Sequence, residues 1–322
     1  MVVDKSNMIE VLESFPQQCK DALTLPKGIT AKGEVTAVVV CGMGGSAIGG
    51  DLLKAYMHNS KLPCFVVRDY KVSEWVDQYT LVFVVSYSGN TEETLSCFHD
   101  AKKKGAQIIA VCSGGELSKL AEKVIKIPSG LQPRAAGGYL FFPMVGVLYN
   151  TNLIDVKNSD LNEMLVLLNK KDEIKERGEE LAKKIHGKTP LIYSSELLKP
   201  IAYKWQTQIN ENAKYPAYHA AFSEMNHNEI LSFRAMDRTK FLAILLRDEN
   251  DHPKIKRRMD ICKQIMEKNV EVEEVKIKGS SLLARMFYTI SLGDYTSYNL
   301  ALRERVDPTP VEAIEWMKKQ LV

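Results

Sequence analysis

Hydrophobic positions along this chain fall into short β-branched runs separated by longer stretches of helical periodicity. Val35 to Cys41 is the first strong run, and Pro63 to Val67, Leu81 to Val85, Gln107 to Cys112 and Val124 to Ile127 follow it. Runs this short and this uniformly apolar predict strands buried on both faces, as in a parallel sheet. Between them the 3.6-residue period predicts helices over 48–57, 92–104 and 116–123, after an amphipathic opening segment over 4–25 that Pro26 and Gly28 end. An apolar helix is expected from Pro133 to about Tyr149. Helices then run to about Lys184, and the polar stretch 157–160 marks a boundary between residues 1–152 and 153–322. The second half repeats the alternation. Strands are expected over 190–194, 215–220, 241–246 and 270–277, and helices over 197–212, 251–269 and 282–303, with Asp307-Pro308-Thr309-Pro310 capping a last one. Strands alternating with helices at this pitch predict an α/β fold of two doubly wound parallel-sheet subdomains, two diverged copies of one unit.

The chemistry concentrates where strands end. Leu81 to Val85 runs directly into Ser86-Tyr87-Ser88-Gly89-Asn90-Thr91, a turn rich in hydroxyls, with Gly89 allowing a sharp bend. Asn90 is expected to cap the next helix, with Glu93 completing a capping box. Free amides at a helix start among small hydroxyls suit a phosphate, although a plain capped turn also accounts for the spacing. Without the lysine of a Walker A loop the natural guest is a sugar phosphate rather than a nucleoside triphosphate. The first strand feeds Gly42-Met43-Gly44-Gly45-Ser46-Ala47. Gly42-x-Gly44-x-x-Ala47, with Asp69 after the next strand, also matches a dinucleotide-binding fingerprint, but that reading leaves Ser86 to Thr91 unexplained. In the second half the corresponding turn is Arg247-Asp248-Glu249-Asn250-Asp251, which would repel a phosphate, so one phosphate loop serves two sheets. Glu211, among amides and beside Lys214 at a helix end, suits proton transfer, and His227 lies between two asparagines. Read singly, each is more readily a solvated surface residue, and Arg134 at its helix start is no stronger alone.

Composition narrows the class. The 322 residues are 45% hydrophobic and 26% charged, ordinary for a globular protein of about two domains, with a net charge of +3 spread along the chain. No basic stripe points to nucleic acid, and no apolar run reaches the ~20 residues of a membrane helix. No signal peptide is recognised before the first helix. Six cysteines without CxxC spacing read as reduced core thiols in a cytoplasmic protein. No metal-ligand spacing is present, and His58, His99, His186 and His252 are expected at the surface.

Taken together and in order, the segments 42–51, 86–94, 133–136, 210–214 and 226–229 resemble the bifunctional phosphoglucose/phosphomannose isomerase family, built from two sugar-isomerase (SIS) domains. The resemblance spans nearly the whole chain. It implies isomerisation of glucose 6-phosphate and mannose 6-phosphate to fructose 6-phosphate, without a cofactor. By that resemblance Gly45, Ser46, Ser86, Ser88 and Thr91 bind the phosphate, Glu211 moves the proton between C1 and C2, and Arg134 faces the enediolate. His227 would open the sugar ring from the neighbouring subunit of a homodimer. Thr296 would be the small residue that admits both C2 epimers, and Arg303 stands where such isomerases carry a lysine. An arginine holds its charge and is a poor proton donor, which moves the acid work toward His227. A sugar-phosphate sensor without catalysis is the rival reading; it would keep the serine loop and has no need of Glu211 or His227.

Overall fold

Valine and isoleucine runs with no polar interruption can lie only where both sheet faces are covered, and that is where the computed structural model puts them. It describes residues 2–320. In chain order the elements begin with α1 (Met8–Glu13), α2 (Phe15–Ala22), β1 (Ala37–Cys41), α3 (Gly44–Tyr56), β2 (Cys64–Val67) and β3 (Thr80–Val85). Next come α4 (Glu92–Lys103), β4 (Gln107–Cys112), α5 (Leu117–Leu120), β5 (Val124–Lys126) and α6 (Gly137–Asn150). Then follow α7 (Asn158–Leu168), α8 (Lys171–Ile185), β6 (Thr189–Ser195), α9 (Lys199–Ala213), β7 (Tyr218–Phe222) and β8 (Phe241–Arg247). The chain closes with α10 (Pro253–Met266), β9 (Glu271–Lys276), α11 (Leu282–Arg303) and α12 (Glu312–Gln320). Two compact units result, one of residues 14–165 and one joining the first 13 residues to 166–322.

In the unit of residues 14–165 all strands are parallel, in the order β2-β1-β3-β4-β5. β1 and β3 are buried at every position, and Cys41 pairs with Val84, so the two strands end side by side. The chain turns one way from β1 to β2 and the other way from β3 to β4. The crevice outside the ends of β1 and β3 is therefore the switch point at which open parallel sheets bind ligands. The other unit orders its parallel strands β7-β6-β8-β9, the same pattern without a fifth strand. Its switch point lies between β6 and β8. The repeat expected from the sequence is thus present in the topology.

Several local expectations are corrected. The opening segment is two helices meeting at Ser14, because Pro16 has no amide to donate to the turn before it. The first 13 residues, expected with the first unit, group with the second, where α1 packs against α11; Asp4 accepts from Met8 N at 2.8 Å and Ile9 N at 3.1 Å at the start of α1. The stretch 157–160 opens α7 rather than a linker, and the division between units falls after Leu165. α3 begins at Gly44, four residues before the expected start, because its glycines tolerate the close packing of its first turns. Asn90 does not cap α4: its Oδ1 accepts from Glu116 N at 2.9 Å, and Thr91 takes the cap position. Asp307-Pro308-Thr309-Pro310 precedes α12 by a turn, with Asp307 Oδ1 accepting from Thr309 N at 3.1 Å. All six cysteines are free and buried, and the four histidines expected at the surface are exposed. No helix among the described residues is long and apolar enough to cross a membrane.

Candidate active site

At the first switch point two helices start, α3 from the end of β1 and α4 from the end of β3, and each leaves unsatisfied backbone amides at its N-terminus. Three buried or half-buried hydroxyls stand between them. Ser46 Oγ accepts from Tyr87 N at 3.2 Å, tying the first loop to the second. Ser86 Oγ is 2.9 Å from Thr91 Oγ1 and also accepts from Gly89 N at 3.1 Å. Ser88 is exposed, with Asn90 N donating to its Oγ at 3.3 Å. Hydroxyls and amides that converge on one crevice at two helix starts can receive an anion.

Two glycines make this possible. Gly89 adopts φ +73°, and a Cβ there would lie 1.9 Å from the carbonyl oxygen of Gly114, so no other residue fits. At Gly45 a Cβ would lie 2.8 Å from Pro133 O and 3.1 Å from Arg134 N. The lack of a side chain at Gly45 lets the turn of Pro133–Ala135, which carries Arg134, rest on the first turn of α3. Arg134 is 4% exposed, and its Nη1 donates to Gln132 Oε1 at 3.3 Å. A buried guanidinium on a turn packed against this helix start is a fixed positive charge. Two residues that sequence reasoning passed over hold this turn. Tyr87 OH donates to Pro128 O at 3.0 Å and accepts from Leu131 N at 2.8 Å. Gln18 Nε2 donates to Ala135 O at 3.0 Å, while its Oε1 accepts from Gly138 N at 2.7 Å. These bonds join positions more than 40 residues apart, so no local pattern announces them.

The second switch point is filled by the chain itself. Asp248, 3% exposed, accepts from Arg285 Nε at 2.9 Å, and Arg285 Nη1 donates to Ser280 O at 2.6 Å. Asp251 lies beside it, its carboxyl pushed above the usual range by burial and by Asp248, against the opposing effect of nearby Ser195. Two carboxylates and one guanidinium at this switch point replace the hydroxyls found at the first.

Glu211 is half-buried in the last turn of α9. α9 is fastened to α11 by a buried polar seam: Lys204 Nζ lies 3.2 Å from Asp294 Oδ1, Gln208 Nε2 donates to Asp294 Oδ1 at 2.5 Å, and Asn212 Nδ2 donates to Ser297 Oγ at 3.0 Å. Lys214, in the left-handed conformation at φ 51°, ends the helix, and its Nζ donates to Asp307 O at 2.6 Å. Arg303, the last residue of α11, pairs with Glu179 at 3.6 Å. Thr296 is wholly buried and donates to Leu292 O at 2.7 Å, so its hydroxyl is spent within its own helix. His227, by contrast, is exposed in the turn that follows β7. Glu211 precedes β7 and His227 follows it, which puts the five residues of that strand between them, roughly 16 Å at ~3.3 Å per residue. Among the residues of this unit, then, Glu211, Lys214 and the segment after Arg303 share one end of the sheet, and His227 is at the other.

Comparison with known proteins agrees with this architecture. Residues 34–144 match the SIS domain family, and residues 174–321 match the bacterial phospho-glucose isomerase C-terminal SIS domain. The chain is 42% identical over 98% of its length, and 98% of the relative's, to a bifunctional phosphoglucose/phosphomannose isomerase of Caldicellulosiruptor bescii. It is 34% identical to a D-glucosamine-6-phosphate 4-epimerase of Sulfolobus acidocaldarius, covering 74% of the chain and 77% of the relative. Among solved structures, the C-terminal domain of glucosamine-fructose-6-phosphate aminotransferase from Francisella tularensis superposes with a TM-score of 0.74 at 16% identity, over 94% of this chain and 98% of that one, a likeness of fold. With two SIS domains and 42% identity from end to end, this chain belongs to the bifunctional phosphoglucose/phosphomannose isomerase family.

Proposed function

We propose that this protein interconverts glucose 6-phosphate and mannose 6-phosphate with fructose 6-phosphate, by moving a proton between C1 and C2 through a cis-enediolate. The observation that carries the reading is full-length identity of 42% to a protein of that name. The geometry described above supports the roles. The crevice of Gly45, Ser46, Ser86, Ser88 and Thr91 holds the phosphate and so fixes the distance from phosphate to reacting carbons; positioning of this kind supplies much of the rate. Glu211 is the base, a carboxylate held in place by the seam between α9 and α11. Arg134 offsets the charge that develops on the enediolate oxygens.

His227 opens the sugar ring. Its separation from Glu211 along β7 supports the view that each site takes its histidine from a second copy of the chain, as a homodimer. Arg303, charged and paired with Glu179, orients the ring oxygen without delivering a proton. Thr296 contributes by its small size. Proton transfer of this type uses acids and bases of the chain and needs no cofactor. Six buried free thiols suit the reducing cytoplasm.

The test is to supply fructose 6-phosphate to the purified chain and assay both aldose phosphates with coupled enzymes. Appearance of both supports the proposal, and appearance of neither refutes it. The relative named as a 4-epimerase favours one second reading, epimerisation at C4 of an amino sugar phosphate; product identification by NMR separates the two.

A further inference from the structure

His227 is exposed, yet the segment that carries it is held on all sides. Immediately before it, Asn226 Nδ2 lies 2.9 Å from Cys262 Sγ on α10 and 3.0 Å from Met225 Sδ, and Met225 is buried in the core. Immediately after it, Asn228 Oδ1 accepts from Glu229 N at 2.6 Å, while its Nδ2 donates to Glu224 Oε1 at 3.0 Å. One residue further, Glu229 Oε1 accepts the hydroxyl of Tyr193 at 2.5 Å. Tyr193 comes from β6, an interior strand, and is 1% exposed. Its ring is packed by Phe222 and Phe233, with centroids 6.1 and 6.0 Å away, in a core with Leu191, Met225 and Leu245. A phenol hydroxyl in such surroundings is costly unless bonded, and here the acceptor is a carboxylate. Burial first, and the Glu229 bond second, push the phenol far above its usual range, so it donates at any working pH.

The geometry points to Tyr193 and Glu229 as positioning residues for His227: the phenol of an interior strand anchors Glu229, two residues from the histidine, and sets where the imidazole is presented. This rests on the ring-opening role of His227 given above. Their contribution is preorganisation. An unsupported loop histidine samples several backbone and rotamer states, and a misplacement of ~1 Å at a reacting group costs about 10²-fold. The anchor is built from the strand itself, the stiffest part of the unit, so the loop is fixed before substrate or a second copy arrives.

Tyr193→Phe tests this, because it removes the hydroxyl and keeps the ring. In the full-length protein the expected result is a kcat about tenfold lower for both aldose phosphates, with KM within about twofold, since phosphate binding is untouched. His227→Ala should lose more, and the double variant should lose no more than His227→Ala alone, because residues acting as a unit are not additive. Glu229→Gln keeps an acceptor for the phenol and should retain most activity, whereas Glu229→Ala should match Tyr193→Phe; the latter pair also serves if Tyr193→Phe fails to fold. Wild-type kcat in Tyr193→Phe, or a loss that multiplies that of His227→Ala, overturns the proposal while leaving the role of His227 standing. Wild-type kcat in His227→Ala instead removes that role, and the positioning proposal with it.

Discussion

At the scale of single residues the account depends on hydroxyls and on two bare glycines. Replacing Ser88 or Thr91 by Ala deletes a donor to a charged oxygen, a bond worth ~1.5–3 kcal/mol. KM for the sugar phosphates should rise about tenfold or more; an unchanged KM would mean the phosphate sits elsewhere. Gly45→Ala should act differently. Its Cβ meets Pro133 O at 2.8 Å, so backbone must yield and Arg134 is displaced with it. Overpacking of this kind costs ~1–3 kcal/mol. We expect a lower melting temperature together with a fall in kcat, and a variant matching wild type in both would show that the contact is not needed. These residues were legible in the sequence as types: small hydroxyls after a strand, glycine where the turn is sharp. Their hydrogen bonds were not. Asn90 carried the local signature of a cap, and the tertiary demand of the Glu116 amide outweighed it.

At the scale of elements, most strands were legible to within a residue or two because a strand buried on both faces admits only apolar side chains; β4 and α11 begin and end where periodicity predicted, whereas β7 begins at Tyr218 rather than at Tyr215. What periodicity could not reveal is which element faces which. The edge strand β9 shows the consequence. Its Glu271, the adjacent Glu273 and Glu274 are interspersed with Val272 and Val275, and each carboxylate is met by a cation from elsewhere in the unit: Lys188, Arg177 with Lys184, and Lys263. Burial raises the Glu273 carboxyl, but hydrogen bonds and charge from Lys184 and Arg177 outweigh that and hold it below its ordinary value of 4.5. A depressed carboxylate stabilises the fold above the unfolded value and loses that contribution as pH falls through the folded one. The melting temperature should therefore drop as pH is lowered through and below about 4.5. Glu273→Gln should melt lower near neutral pH, by about 1 kcal/mol or less given the exposure of its partners, and show a shallower acid decline. A variant with the wild-type acid profile would exclude Glu273 as a contributor.

At the scale of the whole molecule, two units of one topology carry different residues at their switch points. The unit of residues 14–165 has the hydroxyls of Ser46, Ser86 and Thr91 at its switch point, while the other has Asp248, Asp251 and Arg285 at the equivalent place and carries Glu211 and His227 at its two ends. Because the proposed chemistry uses only side chains of the chain, dialysis against EDTA should leave both isomerase activities intact, and a loss restored by zinc would refute proton transfer by those side chains alone. The central claim is that Glu211 moves the proton. It is tested most directly by following exchange of the C2 proton of glucose 6-phosphate and mannose 6-phosphate with deuterated solvent, in the wild type and in Glu211→Gln. That substitution keeps the size of the side chain and removes the base, worth at least ~10²-fold. The wild type should exchange the proton in both sugars, and the variant should lose exchange and turnover together while still binding sugar phosphate. Exchange at the wild-type rate in Glu211→Gln would contradict the account and assign the base to another residue.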